Sequence, residues 1–189
     1  MKHKLILASS SPRRQQLLHQ VQIPFTIRTN NVDESIVTEI DPIEKVKQLA
    51  ILKGDSIQSN ADEIILAADT VVSFQGKIFG KPKDRMDARS MLQQLSDNTH
   101  EVYTGVYIKG AKENTVFVEK TEVTFWELTE EEIEHYIQLD DPYDKAGAYG
   151  IQSAGAILVK HIFGDYYNVV GLPLAKVVRS LKPFHIYPF

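Results

Sequence analysis

The stretch Ile64-Ile65-Leu66-Ala67-Ala68-Asp69-Thr70-Val71-Val72-Ser73-Phe74 constrains this chain more than any other. An apolar run of that length, with β-branched residues towards both ends, reads as a central strand covered on both faces. Such a strand needs paired neighbours and helices packed over it, which puts the chain in the α/β class. Inside the run stands Asp69. Burying a carboxylate among apolar neighbours is costly unless a cation, a metal or hydrogen bonds stabilise it. Asp69 is therefore either a functional acid or an acid at a strand end that caps a turn.

The segments around this strand fit the same class. Leu5 to Ala8 is a short buried strand, and Ser11 is placed to cap a helix that begins at Pro12 and buries Leu17, Leu18 and Val21. Phe25 to Arg28 reads as a strand, followed by a polar loop from Asn30 to Ser35. Asp41 caps a second helix with Pro42 at its first position, and Ile43, Val46, Ala50 and Ile57 mark its apolar stripe. After a turn at Gln75-Gly76 and the segment Lys77 to Pro82, a third helix runs from Asp84 to Leu95. His100 to Lys109 and Thr115 to Trp126 alternate as a hairpin, and Thr129 with Glu132 forms a capping box. A loop rich in Gly, Asp and Tyr spans Asp140 to Gly155, Ala156 to Phe163 is a late strand, Gly164 to Pro173 a further loop, and Leu174 to Leu181 a closing helix. Strands and helices do not strictly alternate, so the sheet is expected to be mixed. No repeat or linker divides the chain, so a single domain over residues 1–189 is expected.

Bulk properties narrow the function. The chain carries 43% apolar residues and a net charge of −4, which suits a globular protein without a broad basic face. Nucleic acid and membrane surfaces are thus not expected partners, and an anionic ligand must be gripped by a local cluster of basic groups. Absence of cysteine removes thiolate chemistry, disulfides and Cys-based zinc sites, and is compatible with the cytoplasm. The apolar stretch after Lys2-His3-Lys4 breaks at Ser9, too short for a secretory h-region, and no segment reaches the length of a membrane span. A soluble cytoplasmic protein is expected.

Several groups could serve phosphate chemistry. Ser9-Ser10-Ser11-Pro12-Arg13-Arg14 stands between a strand and a helix N-terminus, where unpaired N–H groups, hydroxyls and guanidiniums together suit a phosphate. An ordinary cap followed by two solvated arginines would look the same. Lys53 falls on the apolar stripe of the second helix, so its ammonium either faces an anion or snorkels out beside Gly54. Lys81 is held between Gly80 and Pro82, and Asp33-Glu34 is a carboxylate pair in a loop. Basic groups for a polyphosphate and acids for a divalent cation are most of what phosphoryl transfer requires. No GxxxxGK[ST] occurs, which argues against a Walker ATPase.

These residues resemble the Maf family. The resemblance rests on Ser9 to Arg14, Asp33-Glu34, Lys53, Ala68-Asp69-Thr70, Gly80-Lys81-Pro82, Val102 to Val106, Lys145 to Gln152 and Asn168 to Pro173, eight motifs in the family's order from the first strand to the last helix. One departure is Ser153, where glycine is commoner. The resemblance implies an elongated α/β fold related to the inosine triphosphate pyrophosphatases, with a cleft between two lobes, and homodimers are frequent in the family. It implies hydrolysis of a nucleoside triphosphate to its monophosphate and pyrophosphate, with Mg²⁺ or Mn²⁺ as cofactor. From the chemistry of the residues, Glu34 with Asp69 is expected to help hold the metal, and Ser9, Ser11, Arg13, Arg14, Lys53 and Lys81 to bind the phosphates. Carried onto this sequence from the family, Asp69 is the acid that activates water. Arg13, Thr70 and Gln152 occupy the specificity positions. That trio resembles the branch acting on dTTP and UTP, whereas the sister branch acting on 7-methyl-GTP tends to carry an aromatic residue and an acid instead. A neutral amide at 152 suits an uncharged pyrimidine edge, ordinary or modified. The family's association with septum formation supplies a rival reading, a regulatory protein that senses a nucleotide without hydrolysing it.

Overall fold

The structure is a computed structural model that describes residues 3–29 and 31–188; Asn30 of the expected loop and Lys2 of the N-terminal segment lie outside them. The elements are β1 (Lys4–Leu7), α1 (Pro12–Gln20), β2 (Phe25–Ile27), α2 (Pro42–Asp55), β3 (Glu63–Phe74), β4 (Lys77–Phe79), α3 (Arg85–Leu95), β5 (Thr99–Lys109), β6 (Asn114–Phe125), α4 (Glu130–Tyr136), β7 (Val159–Phe163), α5 (Tyr166–Val170) and α6 (Leu174–Leu181). Seven strands form one mixed sheet of order β2-β1-β3-β5-β6-β7, with β4 paired to β3. β1 is parallel to both β2 and β3, while β4 is antiparallel to β3 and β7 to β6. The chain clusters into two compact units, one of residues 1–69, 104–119 and 171–189, the other of 70–103 and 120–170.

In the first unit the parallel strands decide where chemistry can stand. Leu5, Ile6 and Leu7 pair with Ile64, Ile65 and Leu66, and the Ala8 N–H still donates to the Leu66 carbonyl at 2.8 Å. The chain leaving β1 at Ser9 therefore starts beside the Ala67–Asp69 stretch of β3. On the other side of β1, the Arg28 N–H donates to the Leu7 carbonyl, so β2 ends at the same edge. The carboxyl edge of parallel strands is where open α/β sheets place their ligands, because the loops leaving that edge are free of pairing duties. α2 lies close against this part of the sheet. A Cβ on Gly54 would meet Tyr107 Cδ1 at 2.5 Å and Ala67 Cβ at 3.3 Å, and one on Gly105 would meet the Val46 carbonyl oxygen at 2.3 Å. Two missing side chains thus let α2 approach β3 and β5.

The sequence periodicity holds for α2 with one change. Val46, Leu49, Ala50 and Gly54 are buried, whereas Ile43, expected in the stripe, is exposed in the first turn, and Ile57 is buried beyond the helix end. Asp41 caps the helix by accepting the Glu44 N–H. At α1, Ser11 is the N-cap residue but its side chain caps nothing, and its own N–H donates to Ser9 Oγ at 3.2 Å. The Thr129–Glu132 capping box forms as expected.

Two further readings are corrected in the second unit. The late strand starts at Val159 and not at Ala156, because residues 154–158 wind into a 3-10 turn. The segment 164–173 is not wholly a loop: α5 forms there around Asn168, whose buried amide donates to the Val102 carbonyl and to Thr121 Oγ1, each at 3.0 Å. The core of this unit gathers α3, α4 and the inner residues of β5 and β6, with Phe125, Leu92 and Leu95 fully buried.

His100 is buried in that core between Phe125 and Tyr149, at ring centroid distances of 4.9 and 5.4 Å. Its Nε2 is 2.8 Å from the Tyr149 hydroxyl, and its Nδ1 has no partner among the described residues. Burial lowers its pKa from 6.5 to about 3, so the folded chain keeps a neutral ring where the unfolded chain takes up a proton. Stability should accordingly fall as pH drops from 6.5 towards 3, by on the order of 4 kcal/mol from this group. His100→Gln, which keeps a polar partner for Tyr149 but does not titrate, should flatten urea midpoints between pH 6.5 and 4. An unchanged slope in the variant would locate the acid sensitivity elsewhere.

Candidate active site

The carboxyl edge of β1, β2 and β3 collects charged side chains in the first unit. Asp69 is 7% exposed and points from β3 on the same face as Ala67, two residues earlier. Because Gly54 lies against Ala67, the preceding Lys53 stands over Asp69. Its ammonium lies 2.5 Å from Asp69 Oδ1 and 3.0 Å from Glu34 Oε1. The lysine on the apolar stripe therefore faces anions and does not snorkel away. Glu34 opens the 3-10 turn Glu34–Ile36, which Asp33 stabilises by accepting the Ser35 N–H and hydroxyl at 3.0 and 2.6 Å. The Ser35 hydroxyl and N–H hold the Asp33 carboxyl below the usual range.

At the start of α1, Arg14 is held in place by hydrogen bonds. Its Nε donates to the Gly171 carbonyl at 2.8 Å and its Nη1 to Ser9 Oγ at 3.2 Å. Arg14 is half-buried, and burial lowers its pKa; the Asp69 charge opposes the shift, Arg13 reinforces it and Glu34 opposes it. Arg13, Arg14 and Lys53 thus share a field with Glu34 and Asp69, at the N-terminus of a helix whose first N–H groups no serine hydroxyl caps. Such a helix end favours an anion. The Ser9 hydroxyl, buried at 9% exposure, is the organising serine, while Ser11 is half-buried.

The remaining residues singled out from sequence belong to the second unit. Thr70 is half-buried on β3 next to Asp69 in the chain. Lys81 is exposed in the turn after β4, where the Gly80 carbonyl accepts the Gly147 N–H at 3.1 Å. Gln152 is exposed in a tight turn between Gly150 and Ser153. Gly171 was not among the candidates from sequence: its part is a backbone carbonyl that orients Arg14, a role that leaves no side-chain signature.

No group of three or more His, Cys, Asp or Glu side chains stands ready for a metal among the described residues. Glu34 and Asp69 supply two carboxylates brought together through one ammonium. That donor set fits Mg²⁺ or Mn²⁺, hard ions that commonly take one or two carboxylates and fill the rest of their shell with water and substrate phosphate oxygens.

The profile of the family described as Maf-like protein matches residues 4–184. The chain belongs to the Maf family. Among its Maf relatives, the dTTP/UTP pyrophosphatase of Bacillus cereus (strain Q1) is 52% identical over 184 residues, covering 97% of this chain and 96% of the relative. The dTTP/UTP pyrophosphatase of Bacillus anthracis (strain CDC 684 / NRRL 3495) is 51% identical over the same span, with the same coverage. Among solved structures, a HAM1 protein from Coxiella burnetii has a TM-score of 0.55 at 11% identity, covering 96% of this chain and 99% of its own, and so shares the fold.

In this Maf chain the cation between the carboxylates is open to a direct energetic test. On sequence alone, Lys53→Met is expected to leave folding intact; with Asp69 and Glu34 both on the ammonium, it should also lower stability. A double-mutant cycle with Asp69→Asn should show non-additive unfolding free energies of about 0.5–3 kcal/mol. Additive losses would mean that the pair contributes nothing to the fold.

Proposed function

We propose that this Maf protein is a dTTP and UTP pyrophosphatase that releases the nucleoside monophosphate and pyrophosphate. The observation that carries the reading is the buried Asp69 carboxylate held with Glu34 on the Lys53 ammonium, beside the arginine-bearing helix start. A passive polyphosphate binder gains nothing from a carboxylate buried beside its phosphate cradle, since like charges repel. A hydrolase needs one to receive a proton from, or to orient, the attacking water. The names borne by relatives at 51–52% identity over nearly the whole chain support the pyrimidine substrates.

Arg13, Arg14, Lys53 and Lys81 neutralise the triphosphate, with Ser9 and Ser11 hydrogen-bonding its oxygens at the helix start. Glu34 and Asp69 would hold a divalent cation, which when bound would supply charge neutralisation at the phosphates. Asp69 orients or deprotonates the attacking water. Arg13, Thr70 and Gln152 select the base, the neutral amide of Gln152 matching the donor and acceptor edge of thymine or uracil.

A panel of nucleoside triphosphates assayed for pyrophosphate release, with and without Mg²⁺ or Mn²⁺, should show metal-dependent turnover of dTTP and UTP. Asp69→Asn should lose roughly 10²–10⁴ in rate while remaining folded. Absence of hydrolysis by the unaltered protein would return the sensor reading, and near-full turnover by Asp69→Asn would remove the acid from catalysis.

Base choice is tested separately. Gln152→Glu combined with Arg13→Trp should lower kcat/KM on dTTP and UTP and raise it on 7-methyl-GTP, because a mismatched polar edge leaves a group unpaired. Equal losses on every nucleotide would assign these residues to general binding.

A further inference from the structure

Gln152 is exposed at the tip of a turn, and an exposed side chain can select a base only if something fixes its backbone. The turn is closed by the Ser153 N–H, which donates to the Gly150 carbonyl at 3.3 Å. Both of its ends are then tied to a half-buried acid, Asp141. The Ser153 hydroxyl donates to Asp141 Oδ2 at 2.7 Å and lies 3.2 Å from the Gly150 carbonyl. The Tyr136 hydroxyl donates to the same Oδ2 at 2.6 Å and accepts the Gly150 N–H at 3.2 Å. The other oxygen, Oδ1, pairs with Lys145 Nζ at 3.0 Å, and that ammonium also donates to the Asp141 carbonyl at 2.7 Å.

The surrounding glycines make room for this arrangement. A Cβ on Gly150 would meet Lys145 Cε at 2.4 Å and Ser153 Oγ at 2.6 Å, and one on Gly155 would meet the Tyr136 hydroxyl at 2.6 Å. Ser153 stands where the family resemblance leads one to expect glycine, so its hydroxyl adds a tether that a glycine could not make. Burial raises the Asp141 pKa, but the hydrogen bonds from Tyr136, Ser153 and Lys145 outweigh it and hold the carboxyl below its ordinary value. The acceptor that carries the brace is thus ionised at neutral pH.

We propose that Ser153 and Asp141 are positioning residues for base selection, the Ser153 hydroxyl and the Tyr136–Asp141 pair bracing the Gly150–Ser153 turn so that the Gln152 amide is presented in one orientation. This rests on the reading of Gln152 as a base-selecting residue, and the experiment separates the two. Ser153→Ala, Ser153→Thr and Gln152→Ala are compared with the unaltered protein on dTTP, UTP and 7-methyl-GTP, with inorganic tripolyphosphate as a base-free competitive inhibitor and thermal melting as a fold control. Losing one hydrogen bond to a charged acceptor should raise KM for dTTP and UTP about 3- to 10-fold in Ser153→Ala with little change in kcat. Tripolyphosphate inhibition should hold, the preference over 7-methyl-GTP should narrow, and Ser153→Thr should restore it. Unaltered dTTP and UTP constants in Ser153→Ala, with preference lost in Gln152→Ala, would overturn the brace and leave Gln152 in place. A parallel weakening of tripolyphosphate, or a lowered melting temperature, would overturn it by giving the hydroxyl a general structural role. Unchanged preference in Gln152→Ala would remove the base-selecting reading and the brace with it.

Discussion

The site depends on compensating one buried charge. Asp69 sits in the mostly apolar strand β3, and a buried carboxylate there is tolerable only with a cation at hand. The fold supplies Lys53, and much of the local architecture follows from the need to bring it there. Gly54 and Gly105 carry no side chains at two points where α2 packs tightly on the strands. A helix held off by an ordinary Cβ at either place would carry the ammonium away from Asp69. Glu34 then joins the same ammonium from a turn that Asp33 stabilises, so one lysine ties the helix, the strand and the loop after β2 together. Pairs of this kind contribute little net stability after desolvation, and their larger use is to fix charged groups in place before a ligand arrives.

The topology explains why these groups meet at one edge. Because β2, β1 and β3 run parallel, the exits of β1 and β2 lie together, and the segments leaving them carry the serines, the arginines and Glu34, while Asp69 stands within β3 just beyond the stretch paired with β1. Arg14 illustrates how such an edge is finished: its guanidinium is tied back to Gly171, a residue 157 positions away, as well as to the nearby Ser9. In the second unit the same logic applies to a turn, with Tyr136 and Asp141 holding the backbone around Gln152.

How much of this the sequence disclosed depends on whether a residue broke a pattern. Asp69 interrupts an apolar run and Lys53 interrupts an apolar stripe, so both stood out as wrong for their surroundings and right for chemistry. Residues that obey the local pattern gave no warning. Ile43 continues the helical period yet is exposed, because it lies in the first turn of α2. Ala156 looked like the start of a strand because periodicity cannot distinguish a short apolar strand from a 3-10 turn. α5 is only five residues long and is held by the buried Asn168 amide, a tertiary contact with no trace in local propensity. Ser11 satisfied every rule for a capping residue, but Ser9 accepts the N–H of Ser11 and a bond from Arg14, and the helix start is left uncapped.

An ammonium between two carboxylates is not at odds with a phosphate-binding lysine. Lysine has three donors on a rotatable head, whereas arginine presents a rigid fork. Lys53 donates to Asp69 and lies at ion-pair distance from Glu34, and the side chain is 20% exposed. Through Asp69 and Glu34 the ammonium belongs to the same charge cluster as Arg13 and Arg14. Three cations there outweigh two carboxylates by a single charge, too little to bind a triphosphate by attraction alone but enough to keep the acids from repelling it. A cation on Glu34 and Asp69 would add to that excess beside the acid proposed to handle water. A glutamine or arginine in place of Lys53 would serve one of these duties and lose the other: glutamine has no charge to compensate Asp69, and a guanidinium's planar fork cannot reproduce the compact point charge that two carboxylates share.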